Sequence, residues 1–280
     1  MKIDKTHEFG GDWTAIKLDA LSSYLQSFST ALSKQSWCKR VYIDAFSGTG
    51  QCDITAKNGE VQQIDGSAKI ALETTPNFHE LHFVDIKKKH VNALKELCAN
   101  HSNQNCQIYH DDSNNVIPSI LNNLSNSHRG VLFIDPYGMH FNWETLKKVA
   151  TSEKFDVWYL FPLSGLFRNA ALSEADIEEN KDKAITRLLG EANWKDNVYK
   201  KSPIQDMFDD MPKERVEWKE LSTYATTRLQ TIFPLVLGPR IIFTKNKIPK
   251  FALYFAVGNK NKTAQGLAKK IASHILATMG

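Results

Sequence analysis

The chain has 280 residues, enough for one large α/β domain or a domain with a sizeable insertion. Its 35 basic and 31 acidic side chains leave a formal charge of +4, a mildly basic balance that permits a polyanionic partner without requiring one. No run of about 18 consecutive apolar residues occurs, which excludes a membrane-spanning helix, and the first eleven residues lack the apolar core of a signal peptide.

Trp13 to Phe28 predicts an amphipathic helix. Leu18, Leu21, Leu25 and Phe28 form a stripe that buries one face, while Lys17, Asp19 and Gln26 fall elsewhere on the surface. Val41-Tyr42-Ile43-Asp44 then reads as a buried strand, β-branched and aromatic. It breaks into Ala45-Phe46-Ser47-Gly48-Thr49-Gly50, where the two glycines permit backbone conformations that other residues resist. A strand ending in an acid, followed by a small-residue loop, is how open α/β folds build a nucleotide pocket beyond the carboxyl ends of their strands. The pattern is D-x-F-x-G-x-G. A dinucleotide fingerprint would want a third glycine where Asp53 stands, which disfavours NAD and points to S-adenosylmethionine (SAM), whose sulfonium needs no pyrophosphate cradle. Asp44, Phe46, Ser47, Gly48, Thr49 and Gly50 are the cofactor candidates here; an ordinary strand-turn-helix is the alternative.

The polar segment Gln51 to Asp65, with Asn58-Gly59 as a turn signal, reads as a lid or a surface loop. Ser67 is placed to cap a helix from Ala68 to Thr74 and joins the cofactor candidates. A second strand, Glu80 to Asp85, again ends in an acid, and a carboxylate there can accept from both ribose hydroxyls of a nucleotide. A helix from Lys87 to Ala99 follows, and then a weaker strand from Cys106 to Tyr109. Asp112, with the small Ser113 after it, can accept from an exocyclic adenine amine; the alternative is an N-cap for a helix from Asn115 to Leu124.

Gly130 to Ile134 is a continuous apolar run, the mark of a central parallel strand covered on both faces. Its tip reads Asp135-Pro136-Tyr137-Gly138. The proline fixes the turn, so that a carboxylate and a carbonyl present two acceptors to an amino group. The adjacent aromatic can stack on a base, worth roughly 1–3 kcal/mol. Asp135, Pro136 and Tyr137 are the catalytic candidates; a tight turn capped by Asp135 is the alternative. A fifth strand, Phe155 to Phe161, ends at Pro162.

Residues 163–238 read as a helical insertion. One helix opens at Ser173 and is stopped by Gly190; another, from Arg215 to Phe233, carries Trp218, Leu221, Ala225 and Leu229 as its stripe. Trp194, Lys195, Tyr199, Lys200 and Lys201 interleave aromatics with charge, either as a grip on nucleic acid or as a solvated helix face. The chain closes with strands from Arg240 to Lys245 and Phe251 to Val257 around a polar turn, then a helix from Thr263 to Ala277. The expected division is a core over 1–162, an insertion over 163–238 that serves substrate or partner recognition, and core completion over 239–280. The four cysteines, Cys38, Cys52, Cys98 and Cys106, lack C-x-x-C spacing and read as reduced thiols of a cytoplasmic protein, with no metal expected.

Together these pieces resemble class I SAM-dependent methyltransferases: an α/β, Rossmann-like fold with a mostly parallel seven-stranded sheet and a C-terminal antiparallel hairpin. More narrowly, they resemble the three-Cys-motif partner protein family (TcmP). The matching residues are Tyr42 to Gly50, Gly66-Ser67-Ala68, Phe83-Val84-Asp85 and Ile134 to Met139, with the opening helix and Tyr254-Phe255-Ala256. The order of motifs is also similar to ribosomal RNA adenine-N6 methyltransferases of the J type. That resemblance implies that Asp135 and Pro136 hold a target amino group for in-line methyl transfer. Those enzymes carry D-P-P-Y where D-P-Y stands here, so the tyrosine sits one position early, and His140, Phe141 or Trp143 are alternatives for the stacking role. The implied activity is N-methylation of a nucleic-acid base. The alternative is a methyltransferase-shaped regulatory partner of a three-Cys-motif protein. Either way Asp44, Gly48, Gly50 and Asp85 are expected around one hollow, with Asp135 across it.

Overall fold

A computed structural model describes residues 12–55, 61–201, 213–244 and 246–279 of the chain. It opens with helix α1 (Asp12–Ser33) and strand β1 (Lys39–Asp44), then the hairpin β2 (Gln51–Thr55) and β3 (Val61–Asp65). Next come α2 (Ser67–Glu73), β4 (Glu80–Asp85), α3 (Lys88–Ala99), β5 (Cys106–His110), α4 (Ser113–Asn123), β6 (His128–Ile134), α5 (Trp143–Ser152) and β7 (Phe155–Phe161). Helices α6 (Leu163–Asn169), α7 (Glu179–Leu189) and α8 (Lys195–Val198) follow, then β8 (Tyr199–Lys201), β9 (Lys213–Arg215) and α9 (Trp218–Gln230). The strands β10 (Leu235–Phe243) and β11 (Pro249–Val257) and the helix α10 (Lys262–Thr278) end the chain.

Seven strands form one sheet in the order β10-β11-β7-β6-β1-β4-β5. Five are parallel, β11 is antiparallel to β7, and β10 is antiparallel to β11. This is the expected Rossmann-like class I methyltransferase arrangement. From β1 the chain builds outward on one side through β4 and β5, then returns to the other side through β6 and β7. The reversal leaves a crevice at the carboxyl ends of β1 and β6, the place where such sheets bind ligands.

The unbroken apolar runs are explained by burial on both faces. In β1, Val41 and Ile43 point into one core and Tyr42 into the other; in β6, Leu132 and Ile134 oppose Val131 and Phe133. Helices α1, α2, α3 and α10 cover the second face through residues such as Leu21, Leu25, Ala68, Leu94 and Ala272. Helices α4 and α5 cover the first, joined there by Ile185 of α7 and Leu221 of α9. Residues after β7 therefore share the sheet's own core.

Several local expectations are corrected. The segment after the glycine loop is not an irregular loop but the antiparallel hairpin β2–β3; its Asn58-Gly59 turn lies outside the described residues. The helix expected from Ser173 is a short 3-10 turn at Glu174–Asp176, followed by α7 only after Ile177 and Glu178 adopt extended conformations. Arg215 is not helical: it ends β9, which pairs with β8, and α9 starts at Trp218. Trp194 and Tyr199 do not line a charged face. Both are buried, with the indole Nε1 donating to Asp182 at 2.9 Å and the Tyr199 hydroxyl to the Ala171 carbonyl at 2.8 Å. Gly190 does stop α7, at φ +64°. No described helix is long and apolar enough to cross a membrane.

Candidate active site

A hollow of about 550 Å³ opens at the carboxyl ends of β1, β6 and β7. The glycine loop forms one wall, the tip of β6 faces it, and α1 and α6 close the sides.

Hydrogen bonds lock the loop to both neighbouring strands. Ser47 exchanges bonds with β4: its N–H donates to the Val84 carbonyl at 2.9 Å, and its Oγ accepts from the Val84 N–H at 3.0 Å. Gly48 and Gly50 adopt φ +63° and +80°, conformations that tax any residue with a Cβ. The space where a Gly48 side chain would begin is open, so the backbone presents itself to the hollow. Gly66 is needed for a different reason. A Cβ there would sit 2.8 Å from the Gly50 carbonyl carbon, and the Gly66 N–H donates to the Gly50 oxygen at 2.9 Å.

Asp44 lies directly beneath this loop and is fully buried. It accepts from the Phe46 N–H and the Tyr42 hydroxyl, both at 3.2 Å, and from the Ser67 hydroxyl. Burial pushes its carboxyl up to about 7, against the pull of those bonds and with a further push from the negative charge of Asp135. The contact with Asp44 corrects the role expected of Ser67: Gly66, not Ser67, occupies the N-cap of α2, and the serine hydroxyl turns to the buried acid.

Asp85 stands behind the loop. One oxygen accepts from the Gly48 N–H at 3.0 Å and lies 3.0 Å from His90 Nδ1; the other accepts from the Lys87 N–H at 2.8 Å. It thus ties the loop to the start of α3. Asp112 caps α4, accepting from the Asn114 N–H at 2.8 Å, and the buried Ser113 hydroxyl has no hydrogen-bond partner among the described residues. The hollow thus brings together Phe46, Ser47, Gly48, Thr49, Ser67, Asp135, Pro136 and Tyr137. Asp44, Gly50 and Asp85 sit just behind its wall, and Asp112 and Ser113 stand apart at the head of α4.

The opposite wall holds the finding that the helical stripe concealed. Lys17 is not on the surface: it is 7% exposed, and its ammonium pairs with Asp135 Oδ2. The expected stripe of Leu18, Leu21, Leu25 and Phe28 is buried, and the buried face is wide enough to take in 17, 21, 24 and 28 as well, which puts Lys17 in line with Leu21, Tyr24 and Phe28. Tyr137 is 39% exposed, its ring lies 4.4 Å from Lys87 Nζ, and burial followed by Asp85 and Asp135 raises its hydroxyl to about 12. Phe141 and Trp143 are core residues, so of the aromatic candidates for stacking only Tyr137 reaches the hollow. Arg168, Lys250 and Phe251 also line it, and nothing in their local sequence marks them.

No protein-family model and no curated protein matches the chain. Solved structures do. A Legionella pneumophila protein described as DUF519 superposes with TM-score 0.52 at 12% identity, covering 94% of this chain and 92% of that one. Trm1 from Pyrococcus horikoshii, solved with S-adenosyl-L-methionine, gives 0.42 at 14% identity over 100% of this chain and 79% of its own. Spermidine synthase from Thermotoga maritima gives 0.43 at 12% identity, over 89% and 61%. At such identities the likeness is one of fold.

Proposed function

We propose that the chain is a SAM-dependent methyltransferase that methylates an amino group on a nucleic-acid base. The observation that carries this reading is the opposition of Asp135 to the glycine loop across one hollow, with Lys17 paired to its Oδ2. The residues fit the cofactor. The loop offers exposed backbone at Gly48, a buried acid lies beneath it, and Asp85, which accepts from the Gly48 N–H, is the carboxylate that would accept from ribose hydroxyls. When bound, SAM supplies an electrophilic methyl group on a sulfonium.

The chain's own residues then have a limited task. Asp135 accepts a hydrogen bond from the target amine through Oδ1, which turns the nitrogen lone pair across the hollow. Lys17 fixes the carboxylate for that purpose. Pro136 removes an N–H donor from the tip of β6, leaving acceptors to steady the positive charge that develops on the amine. Tyr137 offers a face for the base. Alignment supplies much of the acceleration, because the leaving group is good.

The test is a pair of measurements on Asp135→Ala. SAM binding by calorimetry should persist, and methyl transfer from labelled SAM across a panel of RNAs and DNAs should vanish. Turnover retained in that variant would remove Asp135 from the mechanism. Membership of the three-Cys-motif partner family and the specificity of the J-type enzymes are part of this proposal, resting on the motifs of β1, β4 and β6. A regulatory role beside a three-Cys-motif protein is the second reading. It is favoured by D-P-Y standing at 135–137 where the J-type enzymes carry D-P-P-Y, and absence of SAM binding in the micromolar range would support it.

A further inference from the structure

The ribose of the cofactor brings two hydroxyl groups into the hollow, and each needs a polar partner once water has left it. Asp85 is the expected partner for both, but its acceptor sites are nearly full. A carboxylate only accepts, through about four lone-pair directions on its two oxygens. Three are taken: on Oδ2 by the Gly48 N–H at 3.0 Å and by His90 Nδ1 at 3.0 Å, and on Oδ1 by the Lys87 N–H at 2.8 Å. The Asp85 side chain is 2% exposed and lies behind the wall of the hollow rather than in it. One direction on Oδ1 remains for two hydroxyls.

His90 supplies the second partner. It is the third residue of α3, and a helical side chain leans back toward the start of its helix, which carries the ring to the end of β4 where Asp85 stands. Asp85 can only accept, so His90 Nδ1 holds a proton and donates it. That bond fixes the ring. The opposite nitrogen, Nε2, has no hydrogen-bond partner among the described residues, and the side chain lines the hollow. The hydroxyls of the glycine loop are already committed. Ser47 Oγ donates to the Asp44 carbonyl and accepts from the Val84 N–H, and Thr49 Oγ1 donates to the Gln51 carbonyl. The two hydroxyls of a ribose stand on adjacent carbons, so their partners must be neighbours as well, and His90 is the lining side chain bonded to Asp85. A hydroxyl both donates and accepts, so Nε2 serves it with or without a proton.

We propose that His90 shares the cofactor's ribose with Asp85, Nε2 taking one hydroxyl and Asp85 Oδ1 the other. This inference rests on the SAM reading above and deepens it. It makes His90 a specificity residue, selecting a ribose over a deoxyribose, because a site built to bond a hydroxyl rejects the analogue that lacks it. It also gives the Asp85–His90 bond a use: the contact that orients the ring occupies Oδ2 and leaves Oδ1 to the cofactor.

The test is calorimetric binding of S-adenosylhomocysteine, which is the cofactor without its methyl group, and of its 2′-deoxy and 3′-deoxy analogues, to the wild type, H90N and H90Q. Asparagine keeps a donor near the position of Nδ1, and with it the bond to Asp85, but has nothing where Nε2 stands. Glutamine reaches that far position with a polar group. The wild type should bind each analogue about three- to tenfold more weakly than the parent, the worth of one hydrogen bond. H90N should bind the parent more weakly by a similar factor and lose the penalty for one analogue only, the one lacking the hydroxyl that His90 takes. H90Q should recover part of the parent affinity. If H90N leaves the parent unchanged, or weakens the parent and both analogues by one common factor, His90 takes no hydroxyl and the proposal is overturned while the SAM reading stands. Equal binding of all three ligands by the wild type overturns it in the same way, without recourse to a variant. If the wild type binds neither S-adenosylhomocysteine nor SAM, the cofactor reading falls and the role of His90 falls with it.

Discussion

Replacing Asp44 by Asn tests the electrostatics on which the glycine loop rests. Burial raises the Asp44 carboxyl from an ordinary 3.8 to about 7. Over that interval the unfolded chain has released the proton and the folded chain still holds it, so stability falls as pH rises. The contribution is fully present below pH 3.8 and is lost by about pH 7. A rise of about three pKa units corresponds to roughly 4 kcal/mol, at about 1.4 kcal/mol per pH unit. Asn cannot titrate and nearly matches the shape, so Asp44→Asn should lack this slope. Urea unfolding of the ligand-free protein between about pH 4.5 and 7.5 measures it as the difference between wild type and variant. Asp156, also raised to about 7 by burial, and His82, lowered by burial, titrate in both proteins and cancel in that difference. Parallel stability curves would refute a protonated, buried Asp44. A second readout follows from the proposed cofactor. A cation above the loop favours the ionised carboxylate, so calorimetry with SAM near pH 6 should show release of close to one proton in the wild type and none in Asp44→Asn.

The remaining predictions concern the ion pair and two glycines. Lys17→Met leaves Asp135 half-buried without its ammonium and should cost about 1–3 kcal/mol in urea unfolding. It should also slow methyl transfer while sparing SAM affinity, and adding Asp135→Asn should recover part of the lost stability. Gly190→Ala places a Cβ 1.9 Å from Trp143 Cδ1 at φ +64° and should lower stability by about 2–4 kcal/mol. Gly266→Ala, in α10 with nothing within 4 Å of the new Cβ, should raise it by about 0.5–1 kcal/mol. Thermal unfolding of the two variants side by side checks both signs.

The sheet was legible because its strands are buried on both faces. Such a strand writes itself as an unbroken apolar run, and the runs at β1, β4, β6 and β7 stand at the expected places. The acids at the ends of β1, β4 and β6 were equally plain, since each follows directly on a buried run. What could not be read was direction. Periodicity finds the stripe of Leu18, Leu21, Leu25 and Phe28 but not the width of the buried face, and that width decides whether the Lys17 ammonium meets Asp135 or water. Arg168 and Lys250 were illegible for another reason. They are about eighty residues apart, and only the antiparallel pairing of β11 with β7 brings them to one rim. The aromatics of the segment after β7 misled in the opposite sense. Trp194 and Tyr199, interleaved with lysines, read as a nucleic-acid grip or a solvated helix face, and burial turns both rings inward instead.

The distribution of buried charge bears on the choice between the two proposed functions. An ionisable group inside a protein costs free energy, and a well-packed apolar replacement is often no less stable. Three such devices stand out among the described residues: Asp44 under the loop, Lys17 with Asp135 on the opposite wall, and Asp156 with Tyr24 at the start of β7. The third serves packing, since the Tyr24 hydroxyl donates to Asp156 at 2.6 Å within the cover of α1. The first two lie at one crevice, close enough for the Asp135 charge to shift Asp44. A surface that only docked a partner would have no need of an acid beneath its loop or a lysine locked to the tip of its central strand. A buried acid with a raised pKa beside a part-buried ion pair in one cleft makes a candidate reaction site. The proposed catalysis rests on this meeting of Asp44 with the Lys17–Asp135 pair at one crevice, more than on either motif alone.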